Sequence, residues 1–156
     1  MAIEYELDLS TNVKPTQALE LLSSHIGGLT STWNGKNSYY LWGPTIEIDF
    51  GEPSRTWPET IKDGFGFIPT LLVGFRFKLK SDTDYDTNKQ LMFRAVMLLL
   101  EHAQDAVLLS NYELIVLQRL GGKLTFNSDL QLWDDDWLKG RLTLPHECRP
   151  LPSPLL

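Results

Sequence analysis

A strict two-residue alternation opens the chain and places the strongest constraint on its fold. Between residues 3 and 9, apolar and acidic side chains alternate in the order Ile3, Glu4, Tyr5, Glu6, Leu7, Asp8 and Leu9. Successive side chains of a β-strand point to opposite faces, so the pattern predicts a strand with one buried and one solvated face. The same period recurs over residues 45–50 and 71–80. The chain therefore starts as part of an antiparallel sheet.

Two segments follow the helical period instead. A first helix is predicted to begin at Pro15, which suits a first turn, and to end at Gly27-Gly28. A second, longer helix is predicted over residues 83–103, with three aspartates near its N-terminus, where the helix dipole favours negative charge. Its apolar residues cover most of its circumference, so we expect it to be the central, mostly buried helix.

The remaining segments predict strands, turns and one loop. Two turn-forming dipeptides occur, Asn34-Gly35 within a strand pair over residues 29–42 and Gly121-Gly122 between strands near residues 113–119 and 123–126. Residues 51–64 contain two prolines and two glycines and predict a loop. The expected order is β-α-β-β-β-β-α-β-β-β, an α+β fold with an antiparallel sheet and two helices on one face. We expect one domain over residues 1–145 and a proline-rich C-terminal tail over residues 146–156.

Composition narrows the class of partner. The chain has 156 residues, with 14 Lys and Arg against 20 Asp and Glu, so its formal net charge is −6. Nucleic-acid binding needs clusters of Lys and Arg, so this negative charge argues against nucleic acid as a partner. It favours a basic protein partner instead. The N-terminus lacks the basic and apolar blocks of a signal peptide, and no apolar run reaches the length that spans a membrane. A cytoplasmic location is expected, without membrane contact.

Side chains with catalytic potential are scattered. None of the three histidines has a second His or Cys at the spacing of a zinc site. Cys148, the single cysteine, has no neighbouring base in the sequence. Nucleophile elbows and glycine-rich phosphate loops do not occur in the sequence. The sequence therefore predicts no catalytic residue, no metal site and no cofactor, and favours a protein that is not an enzyme.

The segment from residue 133 to residue 137 is the leading candidate for partner contact. It reads Trp133, Asp134, Asp135, Asp136 and Trp137. Tryptophan is favoured at interface hot spots, and an acidic surround suits a basic partner. The structural alternative is that one or both rings close the edge of the core beneath a solvated acidic loop.

Glu47 and Asp49 form a second candidate, because period two places both on one face of a strand. They are assigned to partner binding, and the alternative is a carboxylate pair in the cleft of a metal-dependent or hydrolytic enzyme. A third interpretation needs no function, since Arg76, Lys78 and Lys80 share the equivalent face of a later strand. If those strands are neighbours, cross-strand ion pairs account for the charges.

Two stretches carry a family resemblance. One is the opening Met1-Ala-Ile-Glu-Tyr-Glu-Leu-Asp-Leu, and the other runs from Met92-Phe-Arg-Ala-Val through Asp105-Ala-Val-Leu-Leu to Leu117-Gln-Arg-Leu-Gly-Gly-Lys-Leu. Together they resemble the Sit-type immunity proteins, named for lipoprotein toxins that kin bacterial cells exchange by contact. The resemblance covers most of the chain and rests on core and turn patterns. It implies a cytoplasmic inhibitor that binds a cognate toxin domain and has no enzymatic activity.

The leading hypothesis is thus an immunity-type binding protein whose acidic and aromatic surface neutralises a basic toxin domain. The alternative is the metal-dependent or hydrolytic enzyme that uses Glu47 and Asp49. The expected oligomeric state is a monomer, or a weak homodimer formed through an exposed sheet edge or the strip around Met97.

Overall fold

The computed structural model describes residues 2–33, 39–142 and 144–156. Over these residues the chain forms nine strands and four helices. In chain order they are β1 (Ala2–Ser10), α1 (Pro15–His25), β2 (Thr30–Trp33), β3 (Tyr39–Trp42), β4 (Ile46–Gly51), α2 (Trp57–Phe65), β5 (Leu71–Lys78), α3 (Asp82–Leu100), β6 (Asp105–Ser110), β7 (Leu114–Leu120), β8 (Lys123–Asn127), α4 (Asp135–Lys139) and β9 (His146–Arg149). Within the described ranges, no helix combines the length and the apolar character that a membrane crossing requires.

All nine strands lie in one sheet, in the order β2-β3-β4-β5-β1-β6-β7-β8-β9. Neighbouring strands are antiparallel except β8 and β9, which run parallel. The predicted α+β class with an antiparallel sheet is confirmed. The turn between β7 and β8 is also as predicted, with positive φ at Gly121 and Gly122. The predicted Asn34-Gly35 turn lies outside the described residues, although the flanking strands β2 and β3 do pair.

The first face of the sheet carries α1 and α3 over the main core. Tyr5, Leu7 and Leu9 of β1 are buried there, as the alternation predicts. The N-terminus of α3 is closed by a capping box, in which Asp84 accepts the backbone N–H groups of Lys80 and Ser81 at 2.8 Å each. These hydrogen bonds hold the pKa of the Asp84 carboxyl below its ordinary value. Asp84 therefore acts as a cap at this helix end.

The second face is also covered, and this corrects the prediction of a loop over residues 51–64. Helix α2 occupies most of that segment, and Ile61 on it is fully buried in a second apolar cluster with Val107 and Leu109 of β6. The glycines and prolines that predicted a loop have other roles here. Pro58 lies in the first helical turn, where no backbone N–H is needed, and Gly66 ends the helix at φ 84°.

The C-terminal segment completes this second layer. Residues 146–149, predicted as part of a tail, form β9 beside β8, and Leu151 is buried against α2 and β6. Asn127 anchors the segment, because its side-chain amide donates to Leu151 O at 3.3 Å and its carbonyl accepts from Leu151 N at 3.1 Å. Buried amides need such partners. The C-terminal segment is therefore held at Leu151 by hydrogen bonds as well as by apolar contact.

One consequence of the covered second face contradicts the sequence analysis directly. Glu6 and Asp8 were predicted to be solvated, but they are 5% and 0% exposed. The alternation was assigned correctly, yet it does not reveal what lies above a face. On β6 their cross-strand partners are Leu109 and Val107, both in the second apolar cluster.

Candidate functional site

Strands β4, β5 and β1 lie side by side and align polar residues across the second face. In one cross-strand row Glu47, Arg76 and Glu4 are partners, and in the next row Asp49 and Glu6 lie on either side of Gly74. The first row alternates in charge. The second row has two carboxylates and no side chain between them.

The carboxylates of the first row are paired with basic side chains of β5. Arg76 Nε lies 3.7 Å from Glu4 Oε1, and Lys78 Nζ lies 3.1 Å from Glu47 Oε2. The predicted cross-strand ion pairs are thus confirmed for Glu47, but not for Asp49, and Lys80 lies beyond the end of β5. Partly exposed pairs of this kind contribute little to stability, about 0–1 kcal/mol each.

The second row has a different environment. A Cβ placed on Gly74 would lie 2.2 Å from Asp49 Oδ1, so the Asp49 carboxylate occupies the space that any other residue would fill. Burial raises the pKa of Asp49 above its ordinary value, and the neighbouring Glu47 charge adds to the effect. Glycine at position 74 is therefore what leaves room for the half-buried Asp49 in this row.

Glu6 and Asp8 form a carboxyl pair beneath this row. Trp57 Nε1 donates to Asp8 Oδ1 at 2.9 Å. With both groups ionised, Glu6 Oε2 and Asp8 Oδ2 are buried without a donor among the described residues. Burial raises the pKa of Glu6 to about 10, helped by the Asp8 charge, and burial raises the pKa of Asp8 to about 6. A protonated Glu6 that donates to Asp8 satisfies both groups at neutral pH.

Above these acids opens the acidic cleft, which we define by Glu6, Asp49, Tyr40, Trp57 and Tyr112. Its volume is about 360 Å³. Tyr112 is 50% exposed at the rim, and its ring centroid lies 6.1 Å from that of Trp57 in an edge-to-face arrangement. The carboxyl groups of Glu6 and Asp49 thus form the floor of the cleft, and the three aromatic rings form its walls.

The backbone presents Tyr112 at an unfavourable conformation. Asn111 and Tyr112 have φ of 52° and 63° in the turn between β6 and β7, and Glu113 N donates to Ser110 O at 3.1 Å. Positive φ is tolerated by asparagine but is costly for an aromatic residue. The turn thus holds a strained residue at the cleft rim.

The predicted contact segment lies on the opposite side of the sheet, and we call residues 133–137 the acidic corner. Trp133 is 7% exposed, and its Nε1 donates to Lys89 O at 3.1 Å. The rings of Trp133 and Trp137 lie 5.3 and 4.8 Å from the Phe93 ring, centroid to centroid. Both tryptophans therefore close the edge of the main core, which is the structural alternative that the sequence left open.

The aspartates of the acidic corner are solvated. Asp134 caps α4 by accepting Trp137 N at 2.8 Å. Asp135 and Asp136 are exposed, and Asp136 lies 3.9 Å from Lys139 Nζ, at the limit of an ion pair. The corner thus carries fixed negative charge on a rigid aromatic base.

The conditions for a carboxylate-pair enzyme are met only in part. Glu47 is paired with Lys78, whereas Asp49 lies over Gly74 with a raised pKa, so the two carboxylates have different surroundings. In the part of the chain that the structure describes, no three His, Cys, Asp or Glu side chains gather where a metal ion would fit.

Sequence reasoning found Asp49 but missed the other residues of the acidic cleft. A signal was present, since the cationic alternation of Arg76 and Lys78 is broken by Gly74. The aromatic walls left no such signal, because Tyr40, Trp57 and Tyr112 come from three distant segments. Only the fold brings them together.

Comparison with known proteins gives one match. No curated protein and no solved structure matches the chain. A family model described as SitI3-like matches residues 3–137, from β1 into α4, and so includes both the acidic cleft and the acidic corner. The chain belongs to the SitI3-like family.

Proposed function

We propose that this protein is an immunity protein that binds and neutralises a cognate bacterial toxin domain. The family match over residues 3–137 carries the proposal. The resemblance to Sit-type immunity proteins implies action by binding, which needs no catalytic group in this chain. The toxin would be met in the cytoplasm of the cell that makes the protein.

The charge of the chain supports a basic toxin domain as partner. The formal net charge is −6, and acidic side chains occur on both faces of the sheet. Complementary charge speeds association and disfavours wrong partners, which suits an inhibitor that must act before its toxin does. Nucleic acid, with its own negative charge, is a poor match for the same surfaces.

Two surfaces are proposed for contact. The acidic corner offers Asp135 and Asp136 in solvent, with Asp134 held as a helix cap and the tryptophans as a rigid base. The cleft side offers Asp49, with Glu47 beside it. They lie on opposite faces of the sheet, so one compact toxin domain would engage one of them with most of its contact area.

The direct test begins with a search beside the gene for this protein for one that encodes a secreted or lipoprotein toxin, and then measures protection from that toxin. Cells that produce the toxin domain should survive when they also produce the protein. The purified pair should form a complex of one chain with one toxin domain by light scattering, and the free protein should be a monomer or a weak dimer. Survival without a complex, or a complex without survival, would contradict neutralisation by binding.

A second experiment asks whether charge drives association. Replacement of Asp134, Asp135 and Asp136 by Asn keeps the shape of the corner and removes its charge. If the toxin uses this surface, the association rate should fall and its dependence on salt concentration should flatten. The matched control is Glu20→Gln, an exposed acid on α1. Equal rates for the triple variant and the parent at every salt concentration would exclude the corner.

A further inference from the structure

We propose that the acidic cleft is the receptor for one arginine side chain of the toxin, whose guanidinium lies between the carboxyl groups of Asp49 and Glu6. The inference rests on the proposed function and specifies the chemistry of the contact. It assigns the main anchor to the cleft rather than to the acidic corner.

The first argument is the charge balance of the sheet face. On β5, Arg76 and Lys78 each neutralise a neighbouring acid, but position 74 carries no side chain. Glu6, Asp8 and Asp49 form no ion pair with any described Lys or Arg. Buried carboxylates without a counter-charge are unfavourable, so this site attracts a cation from outside.

The second argument is the hydrogen-bond capacity of Glu6 and Asp8, which only a shared proton meets in the free protein. Glu6 is 95% buried, lines the cleft, and has an Oε2 that receives no donor from the described chain. Asp8 Oδ2 is in the same state. A guanidinium brings five N–H donors in a planar fork, which suits two carboxylates on either side of it. In the free protein the shared proton of the pair fills this role, and on binding it would pass to solvent.

The third argument is the shape and chemistry of the walls. Tyr40, Trp57 and Tyr112 surround the carboxyl floor, and the volume of about 360 Å³ is ample for an arginine side chain. Guanidinium groups stack on aromatic faces, and their aliphatic stems pack against the ring edges. A hydrated metal ion gains nothing from aromatic walls, whereas a flat cation with an apolar stem gains from both the aromatic walls and the carboxyl floor.

The fourth argument is the strained rim. Tyr112 keeps its ring at the cleft with φ of 63°, a conformation that glycine or asparagine would adopt at lower cost. Strain that the fold retains is concentrated at functional sites, and here it places a half-exposed aromatic ring over an acidic cavity.

The test uses a blocked tripeptide, acetyl-Gly-Arg-Gly-amide, and its citrulline analogue, which has the same shape and no charge. Titration is followed by the indole N–H signals of Trp57 and Trp133, one in each acidic region. We expect the arginine peptide to shift the Trp57 signal with a dissociation constant on the order of 1–10 mM, as befits a small fragment. The Trp133 signal should stay in place, and the citrulline peptide should have no effect.

Three variants locate the site. Asp49→Asn should weaken peptide binding by at least about tenfold, because it removes a charged acceptor. Gly74→Ala should abolish it by forcing Asp49 from its place, and Glu20→Gln should bind like the parent. Amide spectra that match those of the parent show that each variant is folded. Equal binding of the citrulline peptide, or no loss in Asp49→Asn, overturns the proposal, and equal binding of a lysine tripeptide overturns the choice of arginine.

These outcomes are independent of the toxin experiment. If the peptide fails to bind while the protein still protects cells, the receptor is wrong and the immunity function stands. If the peptide binds as expected and the protein neither binds nor neutralises the neighbouring toxin, the proposed function is wrong and the receptor serves another cationic partner.

Discussion

The acidic corner and the acidic cleft contain the same kinds of residue in opposite arrangements. In the corner the tryptophans are packed into the core and the aspartates are in solvent. In the cleft Glu6 is buried and Asp49 is half-buried, and the aromatic walls consist of the half-buried Tyr40 and Trp57 and the exposed Tyr112. Side-chain type alone therefore does not distinguish a surface that is stable by itself from one that lacks a partner.

The difference is one of solvation. Exposed carboxylates keep their water and contribute a diffuse field that salt screens. Buried carboxyl groups have lost that water and rely on a shared proton for their hydrogen bonds, so a cation that replaces this proton gains much more. We accordingly expect the corner to influence the rate of encounter and the cleft to determine the lifetime of the complex.

The largest expected effect belongs to the corner, and it concerns stability. Trp133→Ala removes a buried ring that contacts Phe93 and Phe126, and should lower the free energy of unfolding by about 3–5 kcal/mol. Urea denaturation followed by circular dichroism measures it. Trp137→Ala, at a half-buried position, should be milder. A loss below about 1 kcal/mol for Trp133→Ala would show that the ring is not part of the core.

The next effect belongs to the cleft and depends on pH. Burial raises the pKa of Glu6 to about 10, so the folded state holds a proton that the unfolded state releases above the ordinary glutamate range. This contribution to stability is complete at acidic pH and is lost as pH rises through about 10. The slope is at most about 1.4 kcal/mol per pH unit. Asp8, whose pKa is raised to about 6, adds a smaller loss of stability as pH rises from the ordinary aspartate range to about 6.

Glu6→Gln should remove most of this dependence, because glutamine imitates the protonated acid and still donates to Asp8. Unfolding free energies from urea titrations between about pH 5 and pH 8 would therefore fall in the parent and remain nearly level in the variant. Glu20→Gln is the matched control and should follow the parent. Parallel slopes for parent and Glu6→Gln would mean that Glu6 is not buried as described.

A smaller effect separates strain from contact at Tyr112. Both Tyr112→Gly and Tyr112→Ala remove the ring, but only glycine relieves the positive φ. The glycine variant should be more stable than the alanine variant by about 1 kcal/mol, and both should lose affinity for the arginine peptide. Equal unfolding free energies for the two variants would show that the turn is unstrained.

The smallest effect concerns the exposed acids of the corner. Asp135→Asn and Asp136→Asn should each change the free energy of unfolding by less than about 0.5 kcal/mol, since solvated groups contribute little. Thermal denaturation of the single variants beside the parent measures this. A larger loss for Asp135 would give weight to its contact with Cys148, whose Sγ lies 2.7 Å from Asp135 Oδ1.

The sequence predicted the elements whose periodicity is long and regular. Strand β1, helices α1 and α3, and the Gly121-Gly122 hairpin follow from local patterns, and all are in the fold. Helix α2 and strand β9 were missed, because prolines and glycines usually mark loops. Here Pro58 lies in the first turn of α2, Gly66 ends the helix, and other glycines allow close contact between segments. Gly64, for instance, would bring a Cβ within 3.2 Å of Pro154.

The candidate site was harder to predict for a related reason. Alternation shows which face of a strand a residue occupies, but the burial of Glu6 and Asp8 depends on α2, far along the chain, whose Trp57 donates to Asp8. The aromatic walls are likewise brought together only by the sheet order. Local pattern thus determined the elements, and long-range packing determined the chemistry.

Gly74 makes the specificity of this surface adjustable at a single codon. A lysine or arginine at that position would continue the series of Arg76 and Lys78 and supply from within the cation that the cleft now lacks. The Cβ of such a residue would also displace the Asp49 carboxylate, so the proposed receptor would lose an acceptor as well as its unpaired charge. Position 74 alone would therefore decide whether the proposed receptor offers an unpaired negative charge to a partner.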